Sequence, residues 1–72
     1  MTESVYNVIE LIGTSAESWE RATANAVAEA ARSQSDLRVA RVIEQDVTVE
    51  NGEVVLFRSK VRLSFKHETV LD

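Results

Sequence analysis

The sequence predicts an α+β fold, in which a β-α-β-β unit forms a three-stranded antiparallel sheet of order 1-3-2 beside one helix. Asn51-Gly52 separates two long runs rich in Val, Ile, Leu, Thr and Phe, and this pair suits the positive φ angles of a tight hairpin turn. An Ala-rich stretch with helical spacing precedes the hairpin. A right-handed crossover makes the first strand parallel to the second, which leaves the third strand antiparallel between them.

Composition indicates a single domain over residues 1–72, near the lower size limit for independent folding. The chain has no Cys, so oligomerisation is the usual remaining source of stability. No apolar run could span a bilayer and the polar N-terminus lacks a signal-peptide core, which favours a cytoplasmic protein without membrane contact. The net charge of −4 argues against nucleic acid as a partner.

The first strand is predicted over Val5–Ile12, where a short apolar run ends at the turn-like sequence Gly13-Thr14-Ser15. Both of its faces carry apolar groups, so both are expected to meet protein. One face has Tyr6, Val8, Glu10 and Ile12, and the other has Val5, Asn7, Ile9 and Leu11.

The helix is predicted over about Ala16–Ser33. Thr14 and Glu17 fit a capping box, and Ser15 is an equally good N-cap. The inward stripe is mostly Ala, so the helix can approach a sheet closely and depends on the sheet for its stability. The stripe is Trp19, Ala22, Thr23, Ala26, Val27 and Ala30.

The hairpin strands are predicted over Leu37–Glu50 and Glu53–Lys66, each far longer than a usual strand. A two-residue turn with strict pairing sets Arg41 opposite Arg62, a like-charge contact that a β-bulge, a bound anion or another subunit's carboxylate would relieve. The predicted helix-facing side has Ala40, Val42, Thr48, Val55, Phe57, Val61, Leu63 and Phe65. The predicted outer side has Val39, Arg41, Ile43, Gln45, Val47, Val49, Val54, Leu56, Arg58, Lys60, Arg62 and Ser64.

No catalytic group stands out, and the chain is therefore predicted not to be an enzyme. His67 is the only His and has no second ligand for a metal, so no metal site is predicted. Gly13 is interpreted as a turn glycine and Trp19 as a packing residue. The outer side mixes apolar residues with a basic row ending at Lys66, which indicates a subunit interface that also leaves a ligand cleft.

Four motifs together resemble one known family. They are V-I-E-L-I-G-T-S at the end of the first strand, S-W-E at the helix start, the N-G hairpin and the closing S-F-K. From Val5 to about His67 the chain is similar to the dodecins, small flavin-binding proteins of bacteria and archaea. The resemblance implies a sheet wrapped around the helix and self-association into a hollow, spherical homododecamer.

The resemblance also implies a ligand site. Dodecins stack flavin rings on a Trp of the second strand and bind the pyrimidine edge with a Gln of the third. Val39 stands at the Trp position, Arg58 at the Gln position and Arg41 where a Glu is usual. The predicted ligand-binding residues are Val39, Arg41, Glu44, Gln45 and Arg58.

FMN or riboflavin is the leading ligand that the resemblance implies, held for storage or buffering without turnover. Val39 offers no π face, and Arg58 can donate to a flavin but cannot accept from its ring N–H. The alternative is a shell without flavin, which is structural or binds another anionic ligand of the CoA type through Arg41, Arg58, Arg62 and Lys66.

Overall fold

A computed structural model describes residues 3–67. In chain order the elements are strand β1 (Val5–Ser15), helix α1 (Trp19–Ser33), strand β2 (Leu37–Glu50) and strand β3 (Glu53–His67). The sheet has the order β1-β3-β2 with both neighbouring pairs antiparallel, which confirms the predicted fold class and strand order. No helix within residues 3–67 is long and apolar enough to cross a membrane.

Strand β1 continues three residues beyond its predicted end, and Gly13 pairs with Ser59 inside the sheet. The prediction of a turn at Gly13 is therefore wrong. The glycine is needed for close approach, because a Cβ at this position would lie 2.0 Å from the carbonyl oxygen of Ala22. The helix backbone thus rests directly on the strand at Gly13.

Helix α1 begins at Trp19, three residues later than predicted, and ends at Ser33 as predicted. The N-cap is Ser18, whose Oγ accepts from the backbone N–H of Arg21 at 3.0 Å. The capping box of Thr14 and Glu17 is therefore wrong, since β1 keeps Thr14 in the sheet. Instead, the Oγ of Ser15 accepts from the backbone N–H of Glu17 at 2.9 Å and closes the turn into the helix.

The core lies between α1 and the side of the sheet that faces it, which is called the inner face below. The buried helix residues are all Ala, as predicted, and they pack on large apolar side chains of β3. The buried apolar residues are Ala22, Ala26, Ala30, Val61, Leu63 and Phe65, with Ile9, Leu11, Val27 and Leu37 packed around them.

The hairpin turn and the register next to it and at Val39–Val42 agree with the prediction, whereas at the open end Leu37 pairs with Phe65 instead of Lys66. Asn51 has φ 51° and Gly52 has φ 78°, as a type I′ turn requires. Glu50 pairs with Glu53, and Arg41 pairs with Arg62. The middle of the hairpin is different, because β3 has an extra residue at Val55 and β2 has one at Ile43. Between these two bulges the register is shifted by one residue.

The extra residue at Ile43 exchanges the two predicted faces of β2 from Glu44 to the end of the strand, so Val49 shares the inner face with Val47 instead of lying outward as predicted. Gln45 pairs with the buried Ser59 and Val47 pairs with Phe57, so the prediction that Gln45 and Val47 lie outward is wrong. Thr48, predicted to face the helix, shares the outward side with Asp46. Strict pairing would have aimed the carboxylates of Glu44 and Asp46 at the helix, and desolvation of two carboxylates disfavours that arrangement.

The chain is elongated, with principal extents of 60 × 19 × 14 Å. Its radius of gyration is 15.3 Å, whereas a compact chain of 72 residues has roughly 11 Å. Many apolar side chains consequently stay exposed. They include Val5, Tyr6, Val8, Ile12, Val39, Val42, Ile43, Val49, Val54 and Val55.

Candidate ligand-binding site

The side of the sheet turned away from α1, called the outer face below, carries most of the charged residues of the sheet. Its members follow from the register, because residues directly opposite each other share a face. From β1 they are Tyr6, Val8, Glu10, Ile12 and Thr14; from β2, Val39, Arg41, Glu44, Asp46 and Thr48; from β3, Leu56, Arg58, Lys60, Arg62, Ser64 and Lys66.

Arg58 is bound by Asp46, its neighbour across the β2–β3 pair. The Nε of Arg58 donates to Oδ1 of Asp46 at 2.7 Å, and Nη2 donates to Oδ2 at 2.8 Å. These hydrogen bonds lower the pKa of Asp46 and raise the pKa of Arg58. Two of the three guanidinium nitrogens of Arg58 are thus bonded to a carboxylate, and the two charges compensate each other.

Glu10 forms ion pairs with two cations of β3, Arg62 and Lys60. The Nε and Nη2 of Arg62 both donate to Oε2 of Glu10, at 2.9 and 2.7 Å. The Nζ of Lys60 lies 3.7 Å from the other carboxylate oxygen. Hydrogen bonding to Arg62 lowers the pKa of Glu10, and the nearby charges act in the same direction.

Three outer-face charges, Arg41, Glu44 and Lys66, make no ion pair with another of residues 3–67. Arg41 lies opposite Arg62, and Glu44 lies opposite Lys60. Glu10 of the same chain supplies a carboxylate that compensates the charge of Arg62. It makes no contact with Arg41, whose charge is therefore not compensated within residues 3–67. Arg41, Glu44 and Lys66 are therefore the outer-face charges most open to a ligand or to a second copy.

Trp19 connects the helix start to the strand that carries Asp46. Its indole N–H donates to the backbone carbonyl of Asp46 at 3.0 Å. Its ring meets the ring of Phe57 edge-on, with centroids 5.1 Å apart and an interplanar angle of 78°. The prediction that Trp19 is a packing residue is confirmed, and its hydrogen bond holds β2 beside Arg58.

The five predicted ligand-binding residues do not form one cluster in a single chain. Val39, Arg41, Glu44 and Arg58 lie on the outer face, whereas Gln45 lies on the inner face. Val39 pairs with Ser64, which is six residues from Arg58 along β3, and this corresponds to roughly 20 Å at 3.4 Å per residue. A ligand site that uses both residues therefore needs more than one copy of the chain.

Two residues that organise the outer face, Glu10 and Asp46, were not among the predicted site residues. Strict pairing placed Asp46 on the inner face, and only the two bulges bring it to Arg58. Glu10 was noted among apolar neighbours, but its contact with Arg62 depends on the β1–β3 register. The alternation of apolar and polar residues along each strand does not predict either contact.

A separate cavity of about 400 Å³ lies at the C-terminal end of α1. None of the predicted ligand-binding residues lines it. His67 is at its rim and lies 3.2 Å from the side-chain nitrogen of Asn7. Within residues 3–67 no group of three or more His, Cys, Asp or Glu side chains is arranged to hold a metal ion.

Comparison with known proteins identifies the family. The sequence model of the dodecin family matches residues 5–68. The chain is a member of the dodecin family. The resemblance inferred from the four motifs is thereby confirmed.

Individual dodecins agree with this assignment. The "calcium dodecin" of Mycobacterium tuberculosis is 54% identical over 63 residues, which cover 88% of this chain and 89% of that protein. A structure of that calcium dodecin, described as a calcium-chelating immunodominant antigen with a novel calcium-binding site, has a TM-score of 0.80 and 49% identity and covers 96% of this chain and 99% of its own. The dodecin of Streptomyces coelicolor has a TM-score of 0.89 and 28% identity, with 97% of this chain and all of that chain covered.

Val39 and Arg58, the residues that the family resemblance implies at the flavin-recognition positions, fit a flavin poorly. Val39 has no ring for stacking, and a lost stack weakens binding by about 1–3 kcal/mol. Arg58 has two of its nitrogens bonded to Asp46 and cannot accept a hydrogen bond. Neither residue supplies what the family's Trp and Gln supply.

Proposed function

We propose that this dodecin is a non-enzymatic, self-assembling storage protein that binds Ca²⁺ between copies and has lost the affinity for flavin implied by its family. The observation that carries the proposal is the pairing of Arg58 with Asp46. On the alignment that the family resemblance implies, Arg58 stands where other dodecins recognise the flavin edge. With Arg58 in place of a neutral amide and paired with Asp46, this part of the outer face is ionic, which suits an ionic ligand better than an aromatic one.

The shape of the chain supports self-assembly. Its long hairpin and the many exposed apolar side chains of residues 3–67 leave more apolar surface uncovered than a stable monomer of this size favours. Burial of that surface between copies would supply the stability that the small core of Ala, Val, Leu and Phe lacks. A hollow dodecamer, the assembly implied by the family, is the expected product.

Calcium is the proposed ligand for two reasons. A relative 54% identical to this chain is named a calcium dodecin. In addition, Ca²⁺ takes six to eight oxygen ligands, mainly carboxylates and carbonyls, and the outer face presents Glu44 without an ion-pair partner among residues 3–67.

One chain alone does not fit a Ca²⁺ site. Glu10 and Asp46 are engaged by cations, and residues 3–67 contain no cluster of three or more acidic, His or Cys side chains. The ion would therefore need oxygen ligands from several copies, with Glu44 as the contribution proposed for each. Bound there, Ca²⁺ would link copies and add stability to the assembly.

The assembly is tested first by light scattering coupled to gel filtration. We expect a mass close to that of a dodecamer, whereas the single chain has 8.0 kDa. A species at the monomer mass under all conditions would contradict the proposal.

Calcium binding is tested by calorimetric titration of CaCl₂ into protein freed of divalent ions. We expect saturable binding that Glu44→Gln weakens by about tenfold or more, because one charged ligand is lost in every copy. Glu29→Gln is the matched control, since Glu29 lies on the exposed side of α1 and pairs with Arg32. Absence of saturable binding to the wild type would overturn the assignment of Ca²⁺.

Flavin binding is tested by titrating FMN or riboflavin with protein and following flavin fluorescence. We expect no quenching at micromolar wild-type protein. The double variant Val39→Trp with Arg58→Gln restores the family's recognition pair and should bind flavin measurably. If the wild type quenches flavin fluorescence, flavin is a ligand and the proposed loss of flavin affinity is wrong. If the double variant binds flavin no more tightly than the wild type, the assignment of the two positions is wrong.

A further inference from the structure

The pair Arg41–Arg62 is the one place in the described sheet where two guanidinium side chains lie directly opposite each other. We propose that this pair is a binding site for the oxyanion of a phosphate group, either free phosphate or the phosphate of a small metabolite. The site is independent of Ca²⁺ binding, because none of its cations could ligate a metal ion. It also differs from the position of Arg58, which lies opposite the carboxylate of Asp46 rather than opposite a second guanidinium.

The register brings the two side chains within reach of one anion. Residues directly opposite in an antiparallel pair have Cβ atoms about 4.5–5.5 Å apart, so both long side chains can contact the same small ligand. Both residues are exposed to solvent. The extra residue at Ile43 follows directly after the Arg41 and Val42 pairs and defines where this stretch of register ends.

Free donors remain on both guanidiniums. Arg62 uses Nε and Nη2 for Glu10, which leaves the two N–H groups of Nη1 without a partner among residues 3–67. Arg41 makes no side-chain hydrogen bond or ion pair within the same residues, so its five N–H groups are all available. A tetrahedral oxyanion has enough oxygens to accept from both side chains at once.

The local charge favours an anion. The strand pairing brings together three cations, Arg41, Lys60 and Arg62. Only two carboxylates, Glu10 and Glu44, are paired with them. Glu10 is bonded to Arg62, and Glu44 is beyond ion-pair distance of Arg41. Two guanidiniums held opposite each other repel, and an anion between them turns this repulsion into attraction.

The test is a titration of inorganic phosphate, followed by calorimetry, into the full-length assembled protein in calcium-free buffer of low ionic strength. We expect saturable binding, weakened about tenfold or more by Arg41→Gln and by Arg62→Gln, because each removes one arm of the pair. Arg32→Gln is the matched control, since it makes the same charge change on the exposed side of α1. It should change the affinity less than twofold.

One further variant and one further titrant make the test more specific. Arg41→Lys keeps the charge but loses the fork of donors, so we expect an affinity between those of the wild type and Arg41→Gln. Glycerol phosphate in place of inorganic phosphate distinguishes the two sources. Tighter binding of the ester indicates a metabolite, and tighter binding of inorganic phosphate indicates the free ion.

Three outcomes would overturn the proposal. They are the absence of saturable phosphate binding, equal weakening by Arg32→Gln, and unchanged affinity in Arg41→Gln. If phosphate does not bind and Arg41→Gln lowers the assembly mass in light scattering, the guanidinium contacts a carboxylate of a second copy instead. Failure of the separate calcium titration would remove the proposed function and leave the phosphate site standing.

Discussion

The two faces of β3 are formed by alternate residues of one strand, but different forces determine them. On the inner face, Ser59, Val61, Leu63 and Phe65 are buried under α1. On the outer face, Arg58 and Arg62 are held by carboxylates from opposite sides, β2 for one and β1 for the other. The inner face thus specifies the fold through apolar burial, whereas the outer face leaves charges available for ligands. Substitutions on the two faces should therefore have separable effects on stability and on binding.

The largest expected effect is on the inner face. Leu63→Ala removes a fully buried side chain and should lower the free energy of unfolding by about 2–5 kcal/mol. The change is measured by urea denaturation at fixed protein concentration. Val54→Ala is the control at the hairpin tip, where the side chain is 52% exposed, and should cost less than about 1 kcal/mol. Equal losses for both variants would mean that assembly buries the tip as deeply as the helix buries Leu63.

The contact between α1 and β1 is the second target. Gly13→Ala places a Cβ against the carbonyl of Ala22, which belongs to the backbone and cannot turn aside, so we expect a loss of about 1–3 kcal/mol and a shift in Trp19 fluorescence. Gly52→Ala is the control, because its φ of 78° strains an Ala but no atom lies within 4 Å. It should lower stability without changing Trp19 fluorescence. An unperturbed spectrum in Gly13→Ala would contradict the close approach.

The hydrogen bond from Trp19 to Asp46 links the two faces and should have an intermediate effect. Trp19→Phe keeps a ring against Phe57 but removes the N–H donor, so the free energy of unfolding should fall by about 0.5–1.5 kcal/mol. Tyr6→Phe is the control, since the Tyr6 hydroxyl makes no hydrogen bond within residues 3–67. If Trp19→Phe is as stable as Tyr6→Phe, the indole bond does not hold β2.

The smallest effect is expected on the outer face and depends on pH. The pKa values of Glu10 and Asp46 are lowered by hydrogen bonds to Arg62 and Arg58, from ordinary values of 4.5 and 3.8. A lowered folded-state pKa means that the stabilisation is complete above the ordinary value and disappears as pH falls through the folded value. The melting temperature should therefore fall on acidification below about pH 4.5.

The variant that tests this pH dependence combines Glu10→Gln with Asp46→Asn. It should lose less stability on acidification than the wild type, whereas Glu50→Gln, beside the hairpin turn and outside the ion pairs of residues 3–67, should behave like the wild type. Identical acid profiles for the wild type and the double variant would show that these pairs contribute nothing to folding.

Much of the fold could be predicted because it rests on short-range patterns. Asn51-Gly52 determined the turn, and the Ala stripe determined the helix face. The start of α1 was predicted wrongly because Thr14, Ser15 and Ser18 are all good caps, and only the strand pairing of Thr14 excludes the first choice. Gly13 was interpreted as a turn residue because a local sequence pattern does not show that the backbone of Ala22 lies against it.

The candidate site was less predictable than the fold. Arg41 and Arg62 were placed opposite each other from the turn alone, and the structure agrees. Gln45 was assigned to the wrong face because the assignment assumed uninterrupted pairing from the turn. The pairs Arg58–Asp46 and Arg62–Glu10 need the bulges and the β1–β3 register, respectively.

The sequence by itself determined the element order, the antiparallel sheet, the turn and the dodecin family, because these depend on spacing and on motifs along the chain. Only the tertiary structure decided which charges meet. Glu10 and Arg62 are 52 residues apart, and Asp46 reaches Arg58 because burying two carboxylates against α1 would be more unfavourable than two bulges. The arrangement of charge on the outer face is thus a consequence of packing on the inner one.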